Sequence, residues 1–406
     1  MIALKVLKEK IVWRETAPSI LLVLNSFVWF TLIHAVFEMF LNEINLLETQ
    51  KLILFTTYYV GIAVSAIFGS KIFPMARLKF LYLWLFIGTI TTSFLVTVPI
   101  NDMMTNVLFA FFLGISIGIG MPSCLSYFAD LTCVENRGFV GGIIWSGVGF
   151  IVLLLALVAT MLKPLETVAI LTFWRLFGGL SFLLLTKQHK MLNSRKSPKY
   201  LELVCKRDVL LYLFPWIMFS IINFAESPIL ERVFGSEFFA FIELAVYIFI
   251  GIFAIVGGFI ADIVGRKRVV ITGFVMLGIE YAALSIFYDS PATSYLFLVF
   301  DGVTWGLFAS VFFMAVWGDL GEDFEKEKYY ALGGLPFLLA SFVSVLIEPF
   351  VSDISPTAAF SFASFFLFLA VVPLMYAPET LPERKIRERE LKNYIEKAKK
   401  IKEKYV

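Results

Sequence analysis

Residues 257–270 read GGFIADIVGRKRVV, one Asp and three basic residues set among glycines between two long apolar stretches. So polar a hinge between apolar runs is the form of a connection at a membrane surface, and the surrounding composition agrees. Hydrophobic residues make up 59% of the 406 positions and charged residues only 16%. That composition, with a mean hydropathy of +0.86, excludes a water-soluble fold. A helix needs about 20 apolar residues to cross the hydrocarbon, and long apolar runs leave helices as the spanning structure. Twelve spans are expected, over 18–41, 50–70, 79–100, 104–128, 138–162, 166–187, 208–230, 238–261, 269–288, 293–317, 331–351 and 355–377. The expected fold class is therefore an all-α integral membrane protein of twelve transmembrane helices.

All but four of the 34 Lys and Arg fall in the two ends and in every second loop; the exceptions are Lys51, Lys163, Arg232 and Arg175. Positive charge is retained on the cytoplasmic side, so both termini are expected there, in a multi-pass protein of the cell membrane. The short basic leader before the first span lacks a cleavage pattern. Cys124, Cys133 and Cys205 lie at or near that same basic face without metal-ligand spacing and read as structural.

The two halves repeat. A shift of 188 residues lays Glu38, Glu43 and Gly69 on Glu226, Glu231 and Gly257, and a shift of 189 lays Asp130-Leu131 on Asp319-Leu320. Each Asp-Leu pair ends an even-numbered span and leads through a charged loop to a Gly pair, Gly141-Gly142 or Gly333-Gly334. The expected organisation is a six-helix half over 1–190, a cytoplasmic linker over 191–206, a second half over 207–378 and a basic amphipathic tail over 379–406.

Twelve spans in two halves, with Gly258-Phe-Ile-Ala-Asp262-Ile-Val-Gly265-Arg266-Lys267 between spans eight and nine, resemble the major facilitator superfamily of transporters. The stretch departs from the family's G-x-L-A-D-x-x-G-R-K loop only by Ile260. "ADLTCVENRGFVGG" resembles the family's acid-then-Arg-Gly loop, and "PETLP" after the last span resembles the ending common in its sugar-porter branch. Two departures stand out: Pro74 occupies the place of Asp262 in the first-half counterpart, and span five lacks the Gly-Pro pair of the drug antiporters. The resemblance implies a secondary transporter working by alternating access, gated by Gly258, Asp262, Gly265, Arg266, Lys267, Asp130 and Arg137. Asp262 and Arg266, one turn apart, are spaced to pair, Asp130 and Arg137 offer a matching pair, and each pair exposed to water is worth about 1 kcal/mol.

Ionisable groups at membrane depth face a cavity or a partner. His34 and Glu38 lie one turn apart on span one, Asn223 and Glu226 on span seven, and Asp301 about 12 Å into span ten at 1.5 Å per residue. In the resembling family, helices 1, 4, 7 and 10 line the central path, which makes these residues candidates for substrate and proton binding. Asp301 comes first for proton coupling, because no base lies on its helix. Glu38 and Glu226 also suit an interfacial place. Arg175, Glu243, Glu280 and Glu348 are expected to form buried ion pairs, with Arg175 as an anion-binding residue the other reading. Trp29, Trp145, Trp216 and Trp305 lie well inside their spans and suit a cavity wall for a sugar or another small organic solute, or equally core packing.

Gly114-Ile-Ser116-Ile-Gly118 matches a serine-hydrolase elbow in letters but lies in an apolar helix, and the two histidines are His34 and His189. No enzyme activity, cofactor, metal site or nucleic-acid partner is expected. The expected partners are a small-molecule substrate, protons and the lipid bilayer, with the protein acting as a monomer. A drug or metabolite efflux antiporter and a non-transporting receptor or scaffold remain the alternatives.

Overall fold

A computed structural model describes residues 11–43, 46–72, 76–97, 102–184 and 196–381. Pro74, His189 and the tail beyond residue 381 therefore lie outside the described residues. Twelve helices in these segments are long and apolar enough to cross a membrane. They are α1 Trp13–Leu41, α2 Glu48–Ile72, α3 Arg77–Leu95, α4 Met103–Asp130, α5 Arg137–Ala159 and α6 Pro164–Leu183 in the first half. The second half has α7 Arg207–Phe234, α8 Ser236–Val264, α9 Arg266–Phe287, α10 Pro291–Leu320, α11 Glu327–Asp353 and α12 Pro356–Tyr376.

The hinge that opened the sequence reading is shorter than expected. Helix α8 runs on to Val264 and α9 starts at Arg266, so Gly265 alone turns the chain, at φ +106. That left-handed conformation costs little only without a Cβ. Gly235, at φ +80, likewise joins α7 to α8 alone. Asp262 thus sits in the last turn of α8 and Arg266 in the first of α9, not in a loop.

Packing repeats with the sequence. Helix α2 lies against α4, α3 against α6 and α1 against α5, and the same contacts recur with six added: α8 on α10, α9 on α12 and α7 on α11. The halves meet through two equivalent seams, α5 on α8 and α2 on α11. Small residues set the approach in the first seam, because lipid gives helices no hydrophobic reason to associate and close backbone contact must supply it. A Cβ on Gly258 would stand 2.1 Å from the Gly138 carbonyl oxygen, and one on Gly142 2.3 Å from that of Ala254. Gly258→Ala is accordingly expected to push α5 off α8 and cost about 1–3 kcal/mol of overpacking. A lower thermal unfolding midpoint is the readout, and an unchanged midpoint would show the seam to be loose.

The serine-hydrolase spelling is packing. Cβ atoms on Gly114 and Gly118 would stand 2.1 and 2.2 Å from the carbonyl oxygens of Tyr58 and Ile62 on α2, and the Ser116 hydroxyl donates to the Leu113 carbonyl at 2.7 Å. Helix α10 departs from α geometry, with a π-helical stretch over Phe308–Val316. Such wide turns gather at functional places.

Candidate functional site

The basic face is closed by charges exchanged between the halves. Asp262, 0% exposed, accepts from the backbone N–H groups of Gly138 at 3.1 Å and Phe139 at 2.7 Å, at the start of α5. A helix start offers unpaired N–H donors and a positive dipole end, so a carboxylate binds there without a side-chain partner. Asp262 also pairs with Arg266, as its spacing led one to expect. Arg266 reaches Asp319 at 3.2 Å, and Arg137 meets the other oxygen of Asp319 at 2.5 Å. Asp319 therefore joins two buried guanidinium groups from opposite halves.

The expected Asp130–Arg137 pair is not formed. Asp130 binds Arg77 of α3 and, at 2.9 Å, Lys326, while Arg137 turns across to Asp319 and, at 2.8 Å, to Glu322. Arg77 also pairs with Glu327 at the start of α11, where Glu327 is 0% exposed. Arg77, Arg137 and Lys326 thus each take an acid of the other half, and among the described residues these inter-half ion pairs all lie at the basic face. Burial also changes the scale: removing one partner of a buried pair costs about 3–5 kcal/mol, against about 1 for the exposed pairs the sequence suggested.

The PETLP stretch completes the latch. Glu379 accepts from the backbone N–H of Arg266 at 2.7 Å and of Lys267 at 3.2 Å, capping α9 across the turn. A Cβ on Gly265 would stand 2.3 Å from that carboxylate, a second reason for glycine there. Lys267 donates to the carbonyls of Met375 and Ala377 at the end of α12, and Thr380 donates to Asp319 at 3.1 Å. Arg77, Asp319, Glu322, Lys326, Glu327 and Glu379 were absent from the sequence-derived site. The repeat of Asp130 as Asp319, the PETLP spelling and the place of Arg77 in the first-half counterpart of the hinge hint at three of them.

In the middle of the bundle the four tryptophans part company. The Trp145 ring lies 4.9 Å from Phe27, 6.1 Å from Phe313 and 6.1 Å from Phe337, so four helices from both halves meet around it. Trp305 lies 6.0 Å from the same Phe337. The Trp145 indole N–H is buried and has no acceptor. Trp29 instead donates to Thr92 at 2.8 Å inside the first half, and Trp216 donates to the Gly333 carbonyl at 2.7 Å and stacks on Phe312 inside the second.

The ionisable groups also divide. Asp301 and Glu226, 6% and 5% exposed, each keep a carboxylate oxygen without a partner, whereas Asn223 is half-buried. His34 lies 3.4 Å from the Tyr59 hydroxyl, and Tyr59 meets Phe342 of the other half at 5.1 Å. Glu38, Glu243 and Glu348 are exposed, and Glu38 feels the charges of Glu348 and Glu231 against that of one base, Lys51, as Glu243 feels those of Glu231 and Glu38. An acidic mouth therefore stands opposite the closed basic face.

The ion pairs expected of Arg175, Glu243, Glu280 and Glu348 are not found among the described residues. Arg175, 0% exposed, lies between the rings of Trp29 and Trp84, each 4.3 Å away, and donates to Asn25 at 3.1 Å and Ser26 at 2.9 Å. Two ring faces and two side-chain oxygens take the place of a carboxylate, since a desolvated cation on a π-face is held by about 2 kcal/mol. Arg175→Met should remove that attraction and lower the unfolding midpoint of the purified protein. A variant as stable as wild type would leave the sandwich without energetic weight.

Residues 209–404 match the family model of the Major Facilitator Superfamily. No curated protein matches the chain by sequence. Among solved structures, FucP in an outward conformation is similar at a TM-score of 0.73 and 12% identity, over 90% of this chain and 100% of that one. A variant of the E. coli fucose:proton symporter FucP gives 0.72 and 12%, over 89% and 99%. The human organic anion transporter MFSD10 gives 0.67 and 14%, over 89% and 99%. These likenesses bear out the resemblance read from the hinge: the second half matches the Major Facilitator Superfamily by sequence, and about nine tenths of the chain shares the fold of FucP and MFSD10.

Proposed function

We propose that the chain is a secondary transporter that moves a small organic solute by alternating access, rocking residues 1–190 against 207–378 about the aromatic centre. The observation that carries this reading is the breakable latch. Buried charges join the halves at one face, while at the other face acids of both halves confront one another. An asymmetric closure of that kind suits an outward-facing state, with the basic face in the cytoplasm.

Trp145 speaks for the substrate class. An unpaired indole donor within aromatic walls fits a solute with a flat face and acceptor oxygens, as in a sugar-like metabolite. FucP, a fucose:proton symporter of similar fold, supports the same reading. Asp301, at the edge of this centre one turn before Trp305, is the proposed proton carrier. The protein would work as a monomer in the cell membrane. Trp145→Phe keeps the ring and loses the donor, so solute binding should weaken about tenfold, the worth of one hydrogen bond of about 1–1.5 kcal/mol. A metabolite library screened by thermal shift identifies the solute, and uptake into proteoliposomes tests the reading. Folded protein that binds solute and moves none would make it a receptor; outward movement against a proton gradient would make it an efflux antiporter.

A further inference from the structure

The two seams are fastened differently on the basic face. At the first, Asp262 in the last turn of α8 takes the backbone N–H groups that open α5. Much of that pattern recurs at the second seam: a shift of 189 lays Arg77 and Asp130 on Arg266 and Asp319, and the two pairs form alike. The same shift lays Lys328, in the first turn of α11, on Phe139. Pro74, however, stands in the place of Asp262. A proline carries no carboxylate, so the second seam cannot be closed in the same way.

Part of the chain between α6 and α7 lies there instead. Residues 196–199 lead without regular structure into a short helix, Tyr200–Val204, anchored by Leu203 at 0% exposure. The second half holds this piece at both ends. Lys328 donates to the carbonyls of Ser197 at 3.2 Å and Pro198 at 2.9 Å, and Lys206 donates to the Tyr329 hydroxyl at 3.3 Å with its ammonium 4.7 Å from the Phe324 ring. Between those ties Tyr200 reaches the first half. Its hydroxyl lies 2.5 Å from that of Ser70, in the last turn of α2, and the Lys71 ammonium stands 5.4 Å from its ring, within reach of a cation–π attraction. Ser70 gives its own proton to the Ile67 carbonyl at 2.8 Å, so Tyr200 is the donor. Since α7 begins at Arg207, directly after Lys206, the ties to Lys328, Tyr329 and Phe324 stay within the second half. Only the tie of Tyr200 crosses between the halves.

We propose that residues 197–206 form a strap, buckled to the second half, whose Tyr200 clasps the end of α2 and holds the α2–α11 seam shut while the basic face is closed, in place of the carboxylate that the first-half hinge lacks. The strap rests on the reading that the halves rock apart at this face, and it makes the connection between α6 and α7 a part of the closure. When the face opens, the Tyr200 hydroxyl and ring exchange Ser70 and Lys71 for water, and the rest of the strap moves with α7 and α11.

Labelling at the other seam tests it without a solute. Ser310 is buried against Gly257 and Gly141, on the α5–α8 side, so loosening the strap uncovers it only if the halves part. In the full chain without its three native cysteines, held in lipid nanodiscs, Ser310→Cys is treated with a water-soluble maleimide and the rate is followed. Tyr200→Phe, which loses the hydroxyl and keeps the ring beside Lys71, should speed labelling about three- to tenfold, the worth of one hydrogen bond, and Tyr200→Leu should speed it further. Lys328→Met, which frees the strap from α11, should act in the same direction. Joined to Tyr200→Phe it should add less than its own factor, because both changes undo one strap. A double variant whose factor equals the product of the two would show unconnected contacts and overturn the strap. If Asp319→Ala speeds labelling while Tyr200→Phe and Lys328→Met leave it unchanged, the strap is overturned and the rocking reading stands. If none of the three changes the rate, this face holds no closure and both fall. Elution as a monodisperse peak and wild-type helical circular dichroism identify variants that have folded.

Discussion

Asp319→Ala opens the basic face. One carboxylate, 0% exposed, receives Arg137 at 2.5 Å and Arg266 at 3.2 Å, so its loss breaks two buried pairs at once and leaves Arg137 with Glu322 and Arg266 with Asp262. Breaking a buried pair costs about 3–5 kcal/mol, and in the open state water solvates both guanidinium groups. The ratio of closed to open basic face should therefore fall by about 10²–10³-fold, at about 1.4 kcal/mol for each factor of ten. Ser310, buried on α10 beneath this face and against Gly257 and Gly141, reports it. In a chain without its three native cysteines, Ser310→Cys should be labelled slowly by an impermeant maleimide, and quickly once Asp319→Ala is added. Equal labelling rates would show that the latch carries no weight in the balance of states. Asp262→Asn should act in the same direction but less, because the amide oxygen still accepts from Gly138 or Phe139. Since Asp262 belongs to the latch at the start of α5 and not to the aromatic centre, transport should suffer more than solute binding.

Asp301→Asn should uncouple. The substitution keeps shape and hydrogen-bonding capacity but removes the group that binds and releases a proton. Solute-driven proton flux into proteoliposomes is expected to fall to the background of empty vesicles, while exchange of labelled solute down no gradient persists. Wild-type transport that neither moves protons nor responds to a pH gradient would sink the proposal and leave a uniporter. Loss of both activities in Asp301→Asn would instead place the carboxylate in solute binding.

The hinge shows how far a local pattern reaches. Asp262 and Arg266 pair as the i,i+4 spacing requires, because both partners lie within one turn on either side of a single glycine. Arg137 broke the same rule. Asp130 was the acid expected of it, yet Asp319, 182 positions away, is its partner, since the seam between the halves brings α10 against the start of α5. Glu379 lies 113 positions from the backbone N–H it caps. Nothing in its neighbourhood of sequence marks it as a helix cap.

The tryptophans make the same point for the centre. A helix apolar all round has no polar face to point outward, so its period does not tell which side meets the core, the lipid or the cleft. Trp29 and Trp216 vanished into their own halves, whereas Trp145 and Trp305 met at Phe337. Arg175 likewise looked like half of an ion pair on composition alone. Trp29 and Trp84, brought together from α1 and α3, hold it without any acid.

Alone, the sequence determined the membrane class, the twelve spans, the repeat and the place of the hinge, because each rests on the hydropathy and spacing of neighbouring residues, which act over one helix or one loop. The pairing of charges across the halves, the choice of two tryptophans among four and the holding of Arg175 between Trp29 and Trp84 were decided by tertiary structure. Those contacts depend on how helices cross, and crossings follow from backbone approach at small residues, such as Gly138 against Gly258, that no single segment encodes.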